Sequence, residues 1–109
     1  MTAPLPTISG LSELSGRYDA VLSDVWGVIH NGVSAFPEAV EALRAFRRAG
    51  GRAVLITNAP RPSAPIVAML DRLGVPRDAY DAIVSSGDST RAMIEKYRGK
   101  AIHHVGPPT

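Results

Sequence analysis

The chain has 109 residues, of which 45% are apolar and 20% charged, a balance typical of one globular domain rather than a disordered or fibrous chain. Its formal net charge of +2 argues against nucleic acid as a partner, and no apolar run approaches the roughly 18 residues that cross a bilayer. The absence of cysteine excludes a disulfide framework and a cysteine nucleophile, and it is compatible with a cytoplasmic protein.

An N-terminal leader, assigned to residues 1–17, is rich in Pro, Ser, Thr and Gly. Leu11 and Leu14 are three positions apart and predict one short helical turn, and the absence of a basic start before an apolar run argues against a signal peptide. The run Ala20-Val21-Leu22 follows and ends at Ser23-Asp24. A short continuous apolar run of this kind is typical of a strand that is buried on both faces.

Helices and strands alternate after this first strand. The first predicted helix runs from Pro37 to the Gly50-Gly51 pair, and the second covers Ile66–Leu73 before Gly74. The third begins at a cap, Asp88 or Ser89, and ends at Gly99. Its inner face is predicted to carry Met93, Ile94 and Tyr97. Further strands are predicted at 53–56, 82–84 and 101–105. The spacing of about 30 residues between strands indicates βαβ units. We therefore predict an α/β fold, a Rossmann-like parallel sheet with flanking helices and right-handed crossovers.

Polar residues follow the predicted strands, and parallel sheets bind ligands beyond the carboxyl ends of their strands. Asp24 follows the first strand, Thr57 and Asn58 end the second, and Ser85 and Asp88 follow the third. A carboxylate at the position of Asp24 could be a nucleophile, a metal ligand or a loop cap, and the pattern alone leaves these open. Thr57 could contact a phosphate oxygen, although a β-branched strand residue before a turn asparagine is the simpler interpretation.

Two segments carry a family resemblance. Ser23-Asp24-Val25-Trp26-Gly27-Val28-Ile29 resembles the first motif of the haloacid dehalogenase (HAD) superfamily, and Leu55-Ile56-Thr57-Asn58 resembles its second. The Thr-Asn pair, the Pro37-Glu38-Ala39 helix start and the Leu73-Gly74-Val75 turn resemble the class IIA, NagD-like branch. The resemblance covers roughly residues 18–106, which would form the N-terminal part of a HAD-like core.

The resemblance implies a hydrolase, a Mg²⁺-dependent phosphatase that acts on a small phosphorylated metabolite. Asp24 would attack phosphorus and form an aspartyl-phosphate, which water then hydrolyses. Thr57 would hold a phosphoryl oxygen, and Asn58 would help to shape the phosphate site. The carboxylate of Asp24 and the backbone carbonyl of Trp26 would be ligands of Mg²⁺, which shields charge between the carboxylate and the phosphoryl oxygens.

Trp26 departs from the family pattern, because phosphatases of the superfamily carry a second aspartate at this position. That aspartate protonates the leaving group and activates water, and its loss would cost about 10²–10⁴ in rate if nothing replaces it. The haloacid dehalogenases also carry an aromatic residue here, but they displace a halide that needs no proton. His30 lies four residues on and could act as the acid, although a surface loop histidine is the favoured interpretation.

The family's third and fourth motifs follow a cap domain that selects substrate, and residues 107–109 would begin the linker to that cap. The sequence therefore predicts a fragment of a longer protein, with an incomplete sheet, an unpaired edge and exposed apolar helix faces. A second copy of the chain could pair with this unpaired edge, so the sequence leaves both a monomer and a homo-oligomer as alternatives. The alternative function is a non-catalytic phosphate-binding or interaction protein. A dinucleotide-binding domain lacks its glycine fingerprint here, and a receiver domain would need more acidic residues.

Overall fold

The computed structural model describes residues 2–108. The elements are α1 (Ser12–Ser15), β1 (Ala20–Ser23), α2 (Pro37–Arg48), β2 (Arg52–Thr57), α3 (Ser63–Leu73), β3 (Ala82–Ser85) and α4 (Ser86–Glu95). A 3-10 turn, Arg77–Ala79, precedes β3. The three strands are parallel and lie in the order β1-β2-β3. This arrangement confirms the predicted α/β class with a parallel sheet and flanking helices.

The two long helices before β3 begin and end at residues whose backbone preferences suit those positions. Pro37 opens α2 at the first helical position, where its missing N–H costs nothing and its fixed φ is already helical. Gly74 ends α3 in the left-handed conformation with φ of 88°, which a side chain would oppose. Arg47 and Arg48 lie in the last turn of α2 and complement the helix dipole.

One face of the sheet carries the hydrophobic core. The side chains of Ala53 and Leu55 on β2 are fully buried, and the inward residues of both α2 and α3 pack into the same cluster. The buried members of this cluster are Val25, Ile29, Val40, Leu43, Ala53, Leu55, Ile66, Leu70, Val75, Ala79 and Tyr80. A single layer of helices therefore covers one face of the sheet and holds the strands in register.

The opposite face of the sheet is open. Leu22, Ile56 and Val84 are 66%, 42% and 46% exposed, so the prediction that β1 is buried on both faces is wrong. Successive right-handed crossovers in one direction across a sheet put their helices on the same side, and α2 and α3 accordingly leave the other side bare. Within residues 2–108, β1 pairs only with β2, which leaves an open edge. The sheet is an incomplete Rossmann-like core, as expected.

The C-terminal segment differs from its prediction. Residues 101–105 form no strand and are exposed, and α4 ends at Glu95 rather than at Gly99. A strand needs a neighbour for its backbone groups, and within the described chain this segment has none. Met93, Ile94 and Tyr97 were predicted to face inward, but all three are exposed. No helix within residues 2–108 has the length and apolar character needed to cross a membrane.

Candidate functional site

An open depression lies where β1 and β2 end at the carboxyl edge of the sheet. It is lined by Leu22, Ser23, Asp24, Ile56 and Asn58. Ser23 pairs with Leu55 in the parallel register, so Asp24 follows at the level of Ile56. The fold thus brings together two of the side chains that the sequence marked, Asp24 and Asn58. We refer to this depression as the Asp24 pocket.

The Asp24 carboxylate is held at one oxygen and open at the other. Oδ1 accepts a hydrogen bond of 2.7 Å from the backbone N–H of Val25. Val25 is buried in the core, so the backbone that carries the carboxylate is anchored directly beneath it. Oδ2 accepts no hydrogen bond from the part of the chain between residues 2 and 108. The same aspartate therefore caps its own loop and keeps one free oxygen that could attack an electrophile or bind a cation.

Thr57 occupies a neighbouring position rather than the Asp24 pocket itself. It pairs with Ser85 at the end of β2 and is nearly buried. Its Oγ1 accepts a hydrogen bond of 3.2 Å from the N–H of Ala59, which leaves the hydroxyl hydrogen available for donation. Thr57 and Ser85 line a second, adjacent depression, and Ile56 lines both. The predicted phosphate contacts are thus divided between two adjoining depressions.

Ser85 and Asp88 hold the loop between β2 and α3 instead of pointing into the Asp24 pocket. The Ser85 hydroxyl donates to the carbonyl of Arg61 at 2.7 Å and accepts from the N–H of Asp88 at 3.1 Å, and the Asp88 carboxylate accepts from the N–H of Ser63 at 3.1 Å. A Cβ on Gly87 would overlap the backbone of Arg61. Ser85, and not Asp88 or Ser89, is therefore the cap of α4, and these residues act as a clamp on the loop.

His30 is fully buried, so its interpretation as a surface loop histidine is wrong. Its Nδ1 accepts a hydrogen bond of 2.9 Å from the N–H of Gly32, which places the proton of the neutral ring on Nε2. Nε2 has no hydrogen-bond partner among residues 2–108. Burial lowers the pKa of His30 and favours the neutral ring. These features oppose a role for His30 as the acid that replaces the missing aspartate.

The oxygens near Asp24 fit a hard cation. The backbone carbonyl of Trp26 accepts no hydrogen bond from any described residue, and Asp24 has its free Oδ2. Within residues 2–108, no three His, Cys, Asp or Glu side chains are grouped closely enough to hold a metal ion. Mg²⁺ commonly binds through one or two carboxylates and keeps several waters beside substrate phosphates, so a carboxylate and a carbonyl suit it without forming a complete cage.

Comparisons with known proteins agree with this geometry. A family model for haloacid dehalogenase-like hydrolases matches residues 21–109. The crystal structure of a hydrolase of the haloacid dehalogenase-like family from Brucella suis 1330 is 48% identical in sequence, with a TM-score of 0.76. The match covers 84% of this chain and 34% of that one, so the chain spans about a third of the length of that relative. No curated protein matches the sequence.

Proposed function

The chain belongs to the haloacid dehalogenase-like hydrolase family, and on that premise we propose that it carries the nucleophile of a Mg²⁺-dependent phosphatase of the class IIA branch. The proposed substrate is a small phosphorylated metabolite. The observation that carries the proposal is the free Oδ2 of Asp24, which shares a pocket with the Asn58 amide at the carboxyl edge of the sheet.

In the proposed reaction, Oδ2 of Asp24 attacks the phosphorus of a phosphate monoester. The bond from phosphorus to the ester oxygen breaks, and the electron pair leaves with that oxygen. A water molecule then attacks the aspartyl-phosphate at phosphorus, releases inorganic phosphate and restores the carboxylate. The hydrogen bond from Val25 to Oδ1 supports this role, because it fixes the carboxyl group while leaving the attacking oxygen free.

Neutral donors would bind the phosphoryl oxygens. Thr57 retains a hydroxyl hydrogen for this purpose, and Asn58 brings an amide that donates two hydrogens. The hydrogen bonds of Ser85 and Asp88 to the loop after β2 support the proposal, because they restrain the segment that directly follows the two donors. Rigid donors stabilise a developing charge more effectively than mobile ones.

Asp24 and the carbonyl of Trp26 would hold the Mg²⁺ of this reaction. When bound, the ion would neutralise charge between the carboxylate and the phosphoryl oxygens, which otherwise repel each other. The indole of Trp26 cannot protonate a leaving group, so turnover of substrates with basic leaving groups should be slower by about 10²–10⁴ than with an aspartate at that position.

A non-catalytic phosphate-binding protein is the second candidate. Trp26 favours it, because an indole cannot serve as the acid or base of the reaction. Asp24→Asn separates the two candidates, because the catalytic proposal requires that turnover be lost while the fold remains. Phosphate affinity should stay equal or rise in this variant, since a repelling charge has been removed.

The experiment is a measurement of Mg²⁺-dependent phosphate release from a panel of phosphomonoesters. It should include this chain, any longer natural form of the gene product, and Asp24→Asn in each. Asp19→Asn is the matched control, because Asp19 is an exposed aspartate that precedes β1 at the opposite end of the same strand. Release by wild type and by Asp19→Asn, abolished in Asp24→Asn, would support the phosphatase. Phosphate binding without release by any form would favour the second candidate.

A further inference from the structure

The Trp26 side chain is large, apolar and 56% exposed, yet the loop holds it in a defined place. A Cβ on Gly32 would lie 2.6 Å from two atoms of the indole, so the ring sits directly against the Gly32 backbone. The buried His30 ring packs against it edge-on, with ring centroids 4.7 Å apart and planes at 67°. One side of the indole is thus fixed by the protein, and the other side is left free.

The loop that carries Trp26 has an internally hydrogen-bonded backbone. The N–H of Gly27 donates to the carbonyl of His30, the N–H of Ile29 donates to Val25, and the N–H of Phe36 donates to Ile29, each at 2.8 Å. Ile29 and His30 are buried beneath the loop. An aromatic surface that is already ordered can bind a ligand with little loss of conformational entropy.

Trp26 and Asp24 are two positions apart, and both side chains are exposed on either side of a buried residue. Asp24 is exposed, Val25 is buried and Trp26 is exposed again, which is the alternation expected where side chains point to opposite sides in turn. Trp26 does not line the Asp24 pocket itself. An indole contact would therefore be made with the part of the substrate that projects away from phosphorus, which is the leaving group.

We propose that the Trp26 indole is a stacking platform that selects aryl phosphate monoesters, in which the phosphate is esterified to a planar aromatic ring. This inference rests on the proposed function and names the substrate class of the same site. Offset stacking between an indole and an aromatic ring is favourable beyond the area that it buries. The fixed indole would therefore favour an aryl ester over an alkyl ester of similar size.

The chemistry of the leaving group supports the same choice. When Asp24 attacks an aryl phosphate, the bond from phosphorus to the aryl oxygen breaks and an aryloxide leaves with the electron pair. A phenol has a pKa of about 10, far below the value of 15.7 for water, so aryloxide departs without protonation by the enzyme and takes its proton from solvent. The step in which such a leaving group departs tolerates Trp26 in place of an acidic residue, because this step needs no proton donor.

The sequence contains a single tryptophan, so tryptophan fluorescence, excited selectively over tyrosine, reports on the platform alone. We would titrate the chain, with Mg²⁺ present, with phenyl phosphate, glycerol phosphate and inorganic phosphate. Phenyl phosphate should perturb the fluorescence saturably and bind about 2- to 10-fold more tightly than glycerol phosphate. Gly32→Ala, whose Cβ would displace the indole, should remove this preference.

Gly50→Ala is the matched control, because Gly50 also has a positive φ but its Cβ would meet no atom within 4 Å. Trp26→Leu keeps the backbone carbonyl and an apolar side chain, and calorimetry should show that it too loses the preference for phenyl phosphate. In any form that hydrolyses both esters, the ratio of kcat/KM for phenyl over glycerol phosphate should fall by a similar factor in Trp26→Leu.

Equal affinity for the two esters in wild type, or an unchanged preference in Trp26→Leu, would overturn the platform while leaving the proposed phosphatase intact. A failure of inorganic phosphate to bind either wild type or Asp24→Asn would instead overturn the proposed function and the platform together. Retention of the preference in Gly32→Ala with a displaced tryptophan signal would also contradict the platform, because the ring position would then be irrelevant.

Discussion

The two faces of the sheet are built from similar residues but have different surroundings. Ala53 and Leu55 face α2 and α3 and are fully buried, whereas Leu22, Ile56 and Val84 face the opposite side and remain exposed. The comparison shows that an apolar strand residue indicates a need for cover but does not identify the element that supplies it. Only the path of the chain decides which face the helices reach.

The largest expected effect is a difference in the free energy of unfolding between the same substitution, leucine to alanine, on the two faces of the sheet. Leu55→Ala should lower the free energy of unfolding by about 2–5 kcal/mol, because it removes buried contacts and leaves a cavity. Leu22→Ala should change it by about 0.5 kcal/mol or less, since the side chain is already largely in water. Urea-induced unfolding of both variants measures the difference. Equal losses would show that the open face is covered in solution.

The helix α4 is buried at Gly87 in its first turn and exposed from Ser89 onward. Substitutions at these two positions compare a buried and an exposed site on the same helix. Gly87 is buried against the backbone of Arg61, so Gly87→Ala should cost about 1–3 kcal/mol of unfolding free energy through overpacking. Ser89→Ala, on an exposed position of the same helix, should stay within about 0.5 kcal/mol. Thermal unfolding of the pair is the measurement, and a neutral Gly87→Ala would mean that the contact with Arg61 is not maintained.

The smallest expected effect is on the way the free energy of unfolding depends on pH, through the carboxylate of Asp81. The N–H of Ala53 and the guanidinium of Arg47 bond the Asp81 carboxylate at 2.7 and 2.8 Å, and both lower its pKa. A carboxyl group with a lowered pKa in the folded state stabilises the fold above its unfolded pKa, about 3.9. This contribution should disappear as the pH falls through the lower, folded value.

Asp81→Asn should therefore flatten the dependence of unfolding free energy on pH in that acid range, with little further loss below it. Urea unfolding at a series of pH values provides the measurement. Asp19→Asn serves again as a control, because that exposed aspartate lies at the start of β1. A wild-type acid dependence that persists unchanged in Asp81→Asn would contradict the assignment.

The sequence predicted the elements whose signals are local. The strands β1 to β3 are short apolar runs, and α2 and α3 begin and end at residues such as Pro37 and Gly74 whose backbone preferences are independent of the fold. The predicted strand over residues 101–105 failed because a strand also depends on a neighbour, which is not a property of the segment itself. The burial of His30 was missed for the same reason. The loop around it is fixed partly by a bond from Ala35 to Leu73, far along the chain.

The sequence predicted which strand ends carry the polar residues of the candidate site, but not the direction of each side chain. The rule that ligands bind beyond the carboxyl ends of parallel strands placed Asp24 and Asn58 correctly at one depression. It did not reveal that Thr57 lines the next depression, or that Ser85 and Asp88 bond the loop after β2. Those distinctions depend on side-chain direction and on hydrogen bonds between distant segments, for which the sequence carries no local signal. The roles of these residues in catalysis stay predictions.

The clamp on the loop after β2 has a consequence for synthesis on the ribosome. Ser85 lies 24 positions after Arg61, and Asp88 lies 25 positions after Ser63. The loop that follows Thr57 and Asn58 therefore leaves the ribosome well before the residues that restrain it. The hydrogen bonds that hold this loop can form only when β3 and the first turn of α4 have also emerged. A pause in translation that keeps Ser85 and Asp88 inside the ribosome would thus leave this loop without the hydrogen bonds that restrain it.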